Sequence, residues 1–406
     1  MGKQPAVDAA GLQPRHLGGP HIKGVRPPPE GAGTATALVM GFQQLHREPF
    51  FGQQSSSGEA SDAGPHHHHI HIHIHILIHH PIHTAIHGAM LAAPCAWVMG
   101  LPPANLLAPW LQHQLGEDGP VELVAHRPVG GGCSHGAWQL ELADGRQWFL
   151  KSNGAEALPL LLAEAEGLRA LARWARPPLL VPEPLGVGLL AGQALLLLPW
   201  LVLGGASSPN GVDGDGWFGV GAGLAALHRA SAEAGASQGR FGWSRDNVIG
   251  SSPQINGWEK NWARFFVDCR LAPQLRWAAQ QGRPQRGAQQ LLALVPHWLA
   301  GHQVQPALVH GDLWGGNAAL LAGGGGALFD PAVYWGDREV DLAMAQLFGG
   351  FPQAFFAGYA SSWPLEPRSQ ERVALYNLYH LLNHANLFGG SYGAQAQSSI
   401  DTLLSR

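Results

Sequence analysis

The most informative part of the sequence is Val309-His310-Gly311-Asp312-Leu313-Trp314-Gly315-Gly316-Asn317, followed shortly by Leu328-Phe329-Asp330. It places Asp312 and Asn317 five positions apart on a glycine-rich loop, and Asp330 at the end of an apolar run. A carboxylate can accept the proton of an attacking hydroxyl, and carboxylate and amide oxygens are good ligands for Mg²⁺. The stretch therefore predicts Asp312 as a catalytic base, with Asn317 and Asp330 as metal ligands.

The same interval separates the catalytic Asp and the metal-binding Asn of protein kinases, where a second metal-binding Asp also lies downstream. In such a loop we expect His310 to brace the backbone through hydrogen bonds and Trp314 to face substrate or a neighbouring helix. Glycines and acids together also make ordinary turns. The kinase interpretation therefore depends on residues elsewhere in the chain.

Upstream of this stretch, the pattern predicts strands at 121–127, 137–142 and 147–151, the last two joined by an Asp-Gly turn. A glycine-rich turn lies between the first two strands, and its backbone N–H groups are suited to phosphate oxygens. The residues expected to bind phosphate are Gly130, Gly131, Gly132 and Ser134. Alone, such a run is more often a simple turn, and a Rossmann loop would need a helix directly after it.

Lys151 ends the third predicted strand, and a helix predicted over 159–175 follows it. Protein kinases pair a lysine on that strand with a glutamate on the next helix. Glu164 and Glu166 both lie on this helix, and Glu164 is favoured. A lone lysine at a strand end would be a solvated side chain, but the order of loop, Lys151 and Glu164 favours a nucleotide-binding role.

Strands come first and helices afterwards, which predicts an α+β fold. We expect a two-lobed, protein-kinase-like architecture, with a small antiparallel-sheet N-lobe at 105–203 and a larger helical C-lobe at 204–406. Residues 1–104 are expected to be a low-complexity, His/Pro-rich and disordered extension.

The extension contains His66 to His69 and a strict Ile/His alternation from Ile70 to Ile76. Clustered histidines can bind zinc, copper or nickel, and an Ile/His strand could add to a sheet edge. Compositional bias alone carries little functional information. We therefore expect a dispensable segment, with Met90 or Met99 as an alternative start.

Bulk composition excludes several classes of protein. The net charge of -4 argues against a general nucleic-acid binder. The 3 cysteines, Cys95, Cys133 and Cys269, offer no disulfide framework and suit a reducing compartment. No long apolar run predicts a membrane span, and the start lacks the order of a secretory signal. We expect a cytoplasmic protein with neither nucleic acid nor membrane as partner.

From about residue 105 to the end, the chain resembles the fructosamine kinases, also called ketosamine-3-kinases. The similarity lies in the loop 310–317, in the segment 330–344 with its Tyr334-Trp335-Gly336-Asp337-Arg338-Glu339 run, and in three further stretches. Those stretches are 241–256, 262–275 and 375–390. Ser244-Arg245 and Gly315 depart from the residues common in that family.

This resemblance implies ATP and Mg²⁺ as cofactors and a ketosamine, free or on a glycated lysine of a protein, as substrate. It implies phosphorylation of the sugar 3-hydroxyl, which releases the amine and repairs the protein. Asp337, Arg338 and Asp341 would contact substrate or brace the metal-binding segment. The alternatives are a small-molecule kinase of the aminoglycoside or choline type, acting on another hydroxyl, and an inactive nucleotide-binding scaffold.

Overall fold

The computed structural model describes residues 100–130, 135–204 and 212–406, with the backbone alone at 212–213. The predictions made for residues 1–99, including the His tract and both alternative starts, lie outside the described residues. So do those for Gly131, Gly132 and Ser134. None of the helices in the described ranges is long and apolar enough to cross a membrane.

An antiparallel sheet of five strands occupies the N-terminal part, in the order β1-β2-β3-β6-β5. A four-residue turn, 143–146, joins β2 to β3 and contains Gly145 with φ of 84°. Two helices accompany the sheet. The bounds of these elements are α1 Ala104–Leu115, β1 Leu123–Pro128, β2 Gly136–Leu142, β3 Gln147–Gly154, α2 Leu158–Ala172, β4 Leu179–Leu180, β5 Gly186–Leu190 and β6 Gln193–Pro199.

Alternation along the strands sends apolar side chains to opposite faces of the sheet. One face packs on α1 through a core that includes Leu107, Trp138 and Leu150. The other face packs on α2, and its core continues into the C-terminal part as far as Tyr359. Burial on both faces makes β6 a nearly continuous apolar strand.

Helices dominate the rest of the chain, with short strands between them. Their bounds are α3 Val212–Glu233, β7 Asn247–Ile249, β8 Ser252–Gln254, α4 Trp262–Phe265, a π-helix at Phe266–Leu271, α5 Ala272–Gln280, α6 Ala288–Trp298, β9 Ala307–Val309, β10 Ala318–Leu320, β11 Gly326–Leu328, β12 Tyr334–Gly336, α7 Glu339–Leu347, α8 Gln353–Ser362, α9 Ser369–Phe388 and α10 Tyr392–Leu404. The expectation of an α+β fold, with an antiparallel sheet followed by a helical region, is confirmed.

The predicted division at residues 203 and 204 stays a prediction, and the backbone is bridged across it. Leu203 forms an isolated β-bridge with Leu321, and Gly204 N–H donates to the carbonyl of Leu320 at 2.8 Å. The strand β4 also pairs in parallel with β11. These contacts join the sheet-bearing part to the segment that carries the predicted site.

Glycines set the close packing of α3 on α8. A Cβ on Gly221 of α3 would lie 1.9 Å from the carbonyl oxygen of Phe355. A Cβ on Gly358 of α8 would lie 2.0 Å from the carbonyl oxygen of Phe218. Both obstacles are backbone atoms, so neither can rotate away.

We therefore predict that Gly221→Ala and Gly358→Ala each lower the free energy of unfolding by about 1–3 kcal/mol, because the helices must separate. Gly214→Ala on α3 is the matched control, since its Cβ would meet open space. It should stabilise the helix by roughly 0.5–1 kcal/mol. Urea unfolding measures all three, and equal midpoints for Gly221→Ala and Gly214→Ala would contradict the packing argument.

Candidate active site

Strand pairing brings the three predicted catalytic and metal-binding residues together. Asp312 and Asn317 lie between β9 and β10, whereas Asp330 lies between β11 and β12. Because β10 pairs with β11 and β9 pairs with β12, both antiparallel, the two connecting loops must meet.

Within the first loop, Asn317 is buried and bonded to the predicted base. Its Nδ2 donates to the Asp312 carbonyl at 2.9 Å and to Asp312 Oδ2 at 3.3 Å. Burial raises the pKa of Asp312 and the negative charge of Asp330 raises it further, while the Asn317 hydrogen bond opposes both, giving about 7. A carboxylate with that pKa is suited to accept a proton near neutral pH.

His310 braces the loop from inside. Its Nε2 lies 3.0 Å from the carbonyl oxygen of Phe329, so Nε2 must carry the hydrogen. The other ring nitrogen, Nδ1, then accepts the Asp312 N–H at 3.3 Å. Burial lowers the pKa of His310, which keeps the ring neutral and preserves this pattern. The side chain thereby links the Asp312 loop to the residue that precedes Asp330.

Asp341, on α7, holds the same loop by its backbone. Its Oδ2 accepts the His310 N–H at 2.7 Å and its Oδ1 accepts the Gly311 N–H at 2.8 Å. Gly311 has φ of +81°, and a Cβ there would lie 2.1 Å from the Ala332 carbonyl oxygen. Burial opposes the charged form, but hydrogen bonds and the nearby His228 lower the pKa of Asp341. The loop therefore needs both an ionised Asp341 and a glycine.

Lys151 reaches this region from the sheet. Its Nζ donates to Glu164 Oε1 of α2 at 2.8 Å and also contacts Asp330. Burial opposes its charge, yet the two carboxylates raise the pKa of Lys151. For Glu164, burial outweighs the attraction of Lys151, and the pKa is raised. For Asp330, the charge and hydrogen bond of Lys151 outweigh burial, and the pKa is lowered. One ammonium group thus joins two acids from different parts of the chain.

The donor set at Asn317 and Asp330 fits a hard divalent cation. The amide nitrogen of Asn317 is committed to Asp312, so its oxygen is the atom left for a ligand. The Asp330 side chain is 47% exposed, and its backbone is held at φ of 55°, a costly conformation for a residue with a Cβ. Carboxylate and amide oxygens are the ligands that Mg²⁺ prefers.

Another group of ligand-type side chains, His302, Asp337 and Glu339, also comes within 4.8 Å. Its acids are already paired. Tyr376 O–H donates to Asp337 Oδ2 at 2.6 Å, and Arg372 donates two bonds of 2.7 Å to Glu339. In the described part of the chain, this group is an ion-pair network that anchors the start of α7 to α9.

The remaining predicted residues are placed as follows. Arg338 donates to the Trp363 and Pro364 carbonyls at 2.8 and 2.6 Å, so its contacts support α8. Trp314 is half-buried, and its ring lies over Gly316. Gly130 is exposed in the turn between β1 and β2.

His228 escaped the sequence analysis, and Glu166, named there beside Glu164, has other partners than Lys151. His228 of α3 is fully buried, with Nε2 at 3.1 Å from Asp341 Oδ2. The sequence feature that could have identified His228 is a histidine on an otherwise apolar helix face. Glu166 does not join Lys151 but accepts from Trp243 Nε1 at 3.0 Å and contacts Arg245. Residues two apart on a helix point to different sides, which separates Glu166 from Glu164.

The His302–Asp337 pair predicts a pH-dependent stability. Burial disfavours the charged imidazole, but the Asp337 hydrogen bond and charge, together with Glu339, outweigh burial and the opposing Arg372 and raise the pKa of His302. Glu366 lies 3.4 Å from its other nitrogen. A raised pKa means that this contribution is fully present below about pH 6.5, the ordinary pKa of histidine, and is lost as the pH rises through the folded-state value.

Chemical unfolding at a series of pH values above 6.5 tests this. We expect His302→Gln to have a smaller fall in the free energy of unfolding with rising pH than the wild type. His297→Gln, at an exposed position on α6, should keep the wild-type slope. Equal slopes in all three proteins would show that His302 does not carry the effect.

Known proteins similar to this chain agree with the geometry. The family model described as fructosamine kinase matches residues 104–406. A "Probable ketoamine kinase" of Synechocystis sp. is 43% identical over 307 residues, covering 74% of this chain and 99% of its own. One from Escherichia coli (strain K12) is 40% identical over 294 residues, covering 72% and 96%.

Two solved structures share the fold. A "Putative fructosamine-3-kinase" from Haemophilus somnus superposes with a TM-score of 0.65 at 27% identity, over 74% of this chain and 97% of its own. One from Thermobifida fusca superposes with a TM-score of 0.63 at 30% identity, over 75% and 100%. The match over residues 104–406 and the identity to these kinases show that the chain belongs to the fructosamine kinase family.

Proposed function

We propose that this protein is an ATP-dependent ketosamine 3-kinase, which phosphorylates the 3-hydroxyl of sugar adducts on amines. The observation that carries the proposal is the convergence of Asp312, Asn317 and Asp330 beside Lys151, in a family of ketoamine kinases. Phosphoryl transfer needs these groups together: a proton acceptor, oxygen ligands for a metal and a cation for the phosphates.

In this proposal each side chain has one task. Asp312 orients the sugar hydroxyl and accepts its proton, for which its pKa of about 7 is suited. Lys151 contacts phosphate oxygens and is positioned by Glu164. The turn that includes Gly130 to Gly132 and Ser134 donates backbone N–H groups to the phosphates. Bound at Asn317 and Asp330, Mg²⁺ would neutralise charge on the β- and γ-phosphates.

The substrates would be ribulosamine, erythrulosamine or fructosamine adducts on lysine, free or within a protein. Phosphate placed one carbon from the sugar carbonyl is prone to elimination, and the amine is then released. A cytoplasmic kinase with this activity would act in deglycation and protein repair. The alternative is a kinase of the aminoglycoside or choline type, which would act on another hydroxyl.

The substrate class is tested by ATP consumption with Mg²⁺, offering ribuloselysine, erythruloselysine and fructoselysine beside aminoglycosides and choline. We expect turnover that depends on a ketosamine, because the family match and the site geometry agree. The rank order of the three would give the sugar preference. Turnover confined to an aminoglycoside or choline would replace the proposal with the alternative.

The base is tested by Asp312→Asn. We expect kcat to fall by about 10²–10⁴ because the proton acceptor is lost. Stability should be kept or increased, since the side chain is desolvated and its pKa is raised. Asp401→Asn is the matched control, because Asp401 is half exposed and pairs with Arg286 on the surface. A near-normal kcat in Asp312→Asn would refute the assignment.

A further inference from the structure

A cluster of four rings lies beside the Asp312 loop without being used by the proposed phosphoryl transfer. It consists of Phe348, His384, Phe388 and Tyr392, here called the aromatic patch. The centroid of His384 lies 4.8 Å from Phe348, 5.6 Å from Phe388 and 5.2 Å from Tyr392. The three aromatic rings therefore surround one imidazole.

Backbone contact places the patch next to the catalytic loop. Phe348 directly follows α7 and is itself followed by Gly349 and Gly350, with φ of 71° and 95°. A Cβ on Gly315 would lie 3.0 Å from the Cα of Gly350, so the two loops touch three residues after Asp312. Phe348 in turn packs on His384 of α9, with the ring centroids 4.8 Å apart.

The patch presents ring surface to solvent. Phe388 is 69% exposed, and the other three rings are half-buried. One exposed ring and three half-buried rings beside the Asp312 loop leave aromatic surface open to a ligand.

His384 adds a hydrogen-bond acceptor at the centre. Its Nδ1 lies 2.9 Å from the carbonyl oxygen of His380, and since a carbonyl only accepts, Nδ1 carries the hydrogen. Burial lowers the pKa of His384 against that hydrogen bond, so the ring is neutral and Nε2 has a lone pair. This Nε2 has no hydrogen-bond partner within the described ranges.

One turn earlier, His380 repeats the same condition. It is 3% exposed, and its Nδ1 has no hydrogen-bond partner within the described ranges. A buried polar atom without a partner is uncommon and requires an explanation. Residues four apart share one helix face, so His380, His384 and Phe388 form one line along α9.

Neutral acceptors and aromatic faces together select a cation that can donate hydrogen bonds. Ring faces attract an ammonium group by their quadrupole, and a neutral imidazole nitrogen accepts its N–H. Arg283, the nearby guanidinium, donates to the carbonyl of Ala385 at 2.7 Å and that of Asn386 at 3.4 Å, so it is held at the end of α9.

Resting on the proposed function, we infer that the aromatic patch binds the amine end of the ketosamine: its protonated secondary amine and the carbon chain that carries it. The amine sits on the sugar carbon two positions from the one that bears the reacting hydroxyl. A substrate whose hydroxyl lies at Asp312 would thus extend its carrier along the neighbouring rings. The patch would then select amine-linked sugars over free sugars.

The test uses two variants of the full chain, Phe388→Leu and His384→Phe. The first keeps apolar surface and removes a ring, and the second keeps a ring and removes the lone pair. With ribuloselysine, each should raise KM about two- to fivefold, with kcat and the KM for ATP within about twofold of the wild type. Phe218→Leu, at an exposed aromatic of α3, is the matched control and should change nothing.

A second arm replaces the charged amine with its N-acetylated, neutral analogue. The wild type should have a higher KM for this analogue than for ribuloselysine. With the analogue as substrate, the two patch variants should have the same KM as the wild type. The inference would be overturned if the two patch variants kept the wild-type KM for the charged substrate. It would also be overturned if they raised KM by the same factor for the charged and the neutral substrate. Wild-type inactivity on all ketosamines would instead remove the proposed function, and the inference with it.

Discussion

The carboxylate of Asp341 joins the segment after Asp330 to the backbone of the Asp312 loop. Two N–H groups of that loop, from His310 and Gly311, end on its two oxygens. The loop has few other ways to satisfy these donors, because they are buried and lie at the end of the short strand β9. An unpaired buried N–H costs about 1–3 kcal/mol, so the loop conformation depends on this one side chain.

The other charged residues of the segment 330–344 are paired in the same manner. Asp337 and Glu339 pair with α9, and Arg338 pairs with the end of α8. Each is an acid or a base that burial would make costly without a partner. The segment is therefore a junction at which the Asp312 loop, the helices behind it and Asp330, the predicted metal ligand, acquire fixed relative positions.

Lys151 makes the corresponding connection to the sheet. It is held between Glu164 and Asp330. In the proposed function, phosphates would therefore compete for Lys151 with an acid that is also a predicted metal ligand. A cation placed at Asp330 would weaken that competition by neutralising the acid. In the proposed function, nucleotide and metal would thus support each other's binding at the junction between sheet and helices.

Local patterns in the sequence were sufficient to predict the strands β1 to β3 and the helix α2. They were also sufficient to choose Asp312, Asn317 and Asp330 as candidates. Strand alternation, helical spacing and loop chemistry are all local properties of the chain. Local patterns could not show that Glu164 rather than Glu166 faces Lys151, since that depends on how α2 lies on the sheet. Nor could they reveal His228 under Asp341 or Phe348 beside His384, because the residues of each pair are more than thirty positions apart in the chain. Such contacts are decided by tertiary packing, because only the folded core brings distant side chains within hydrogen-bonding distance and removes the water that would otherwise compete for them.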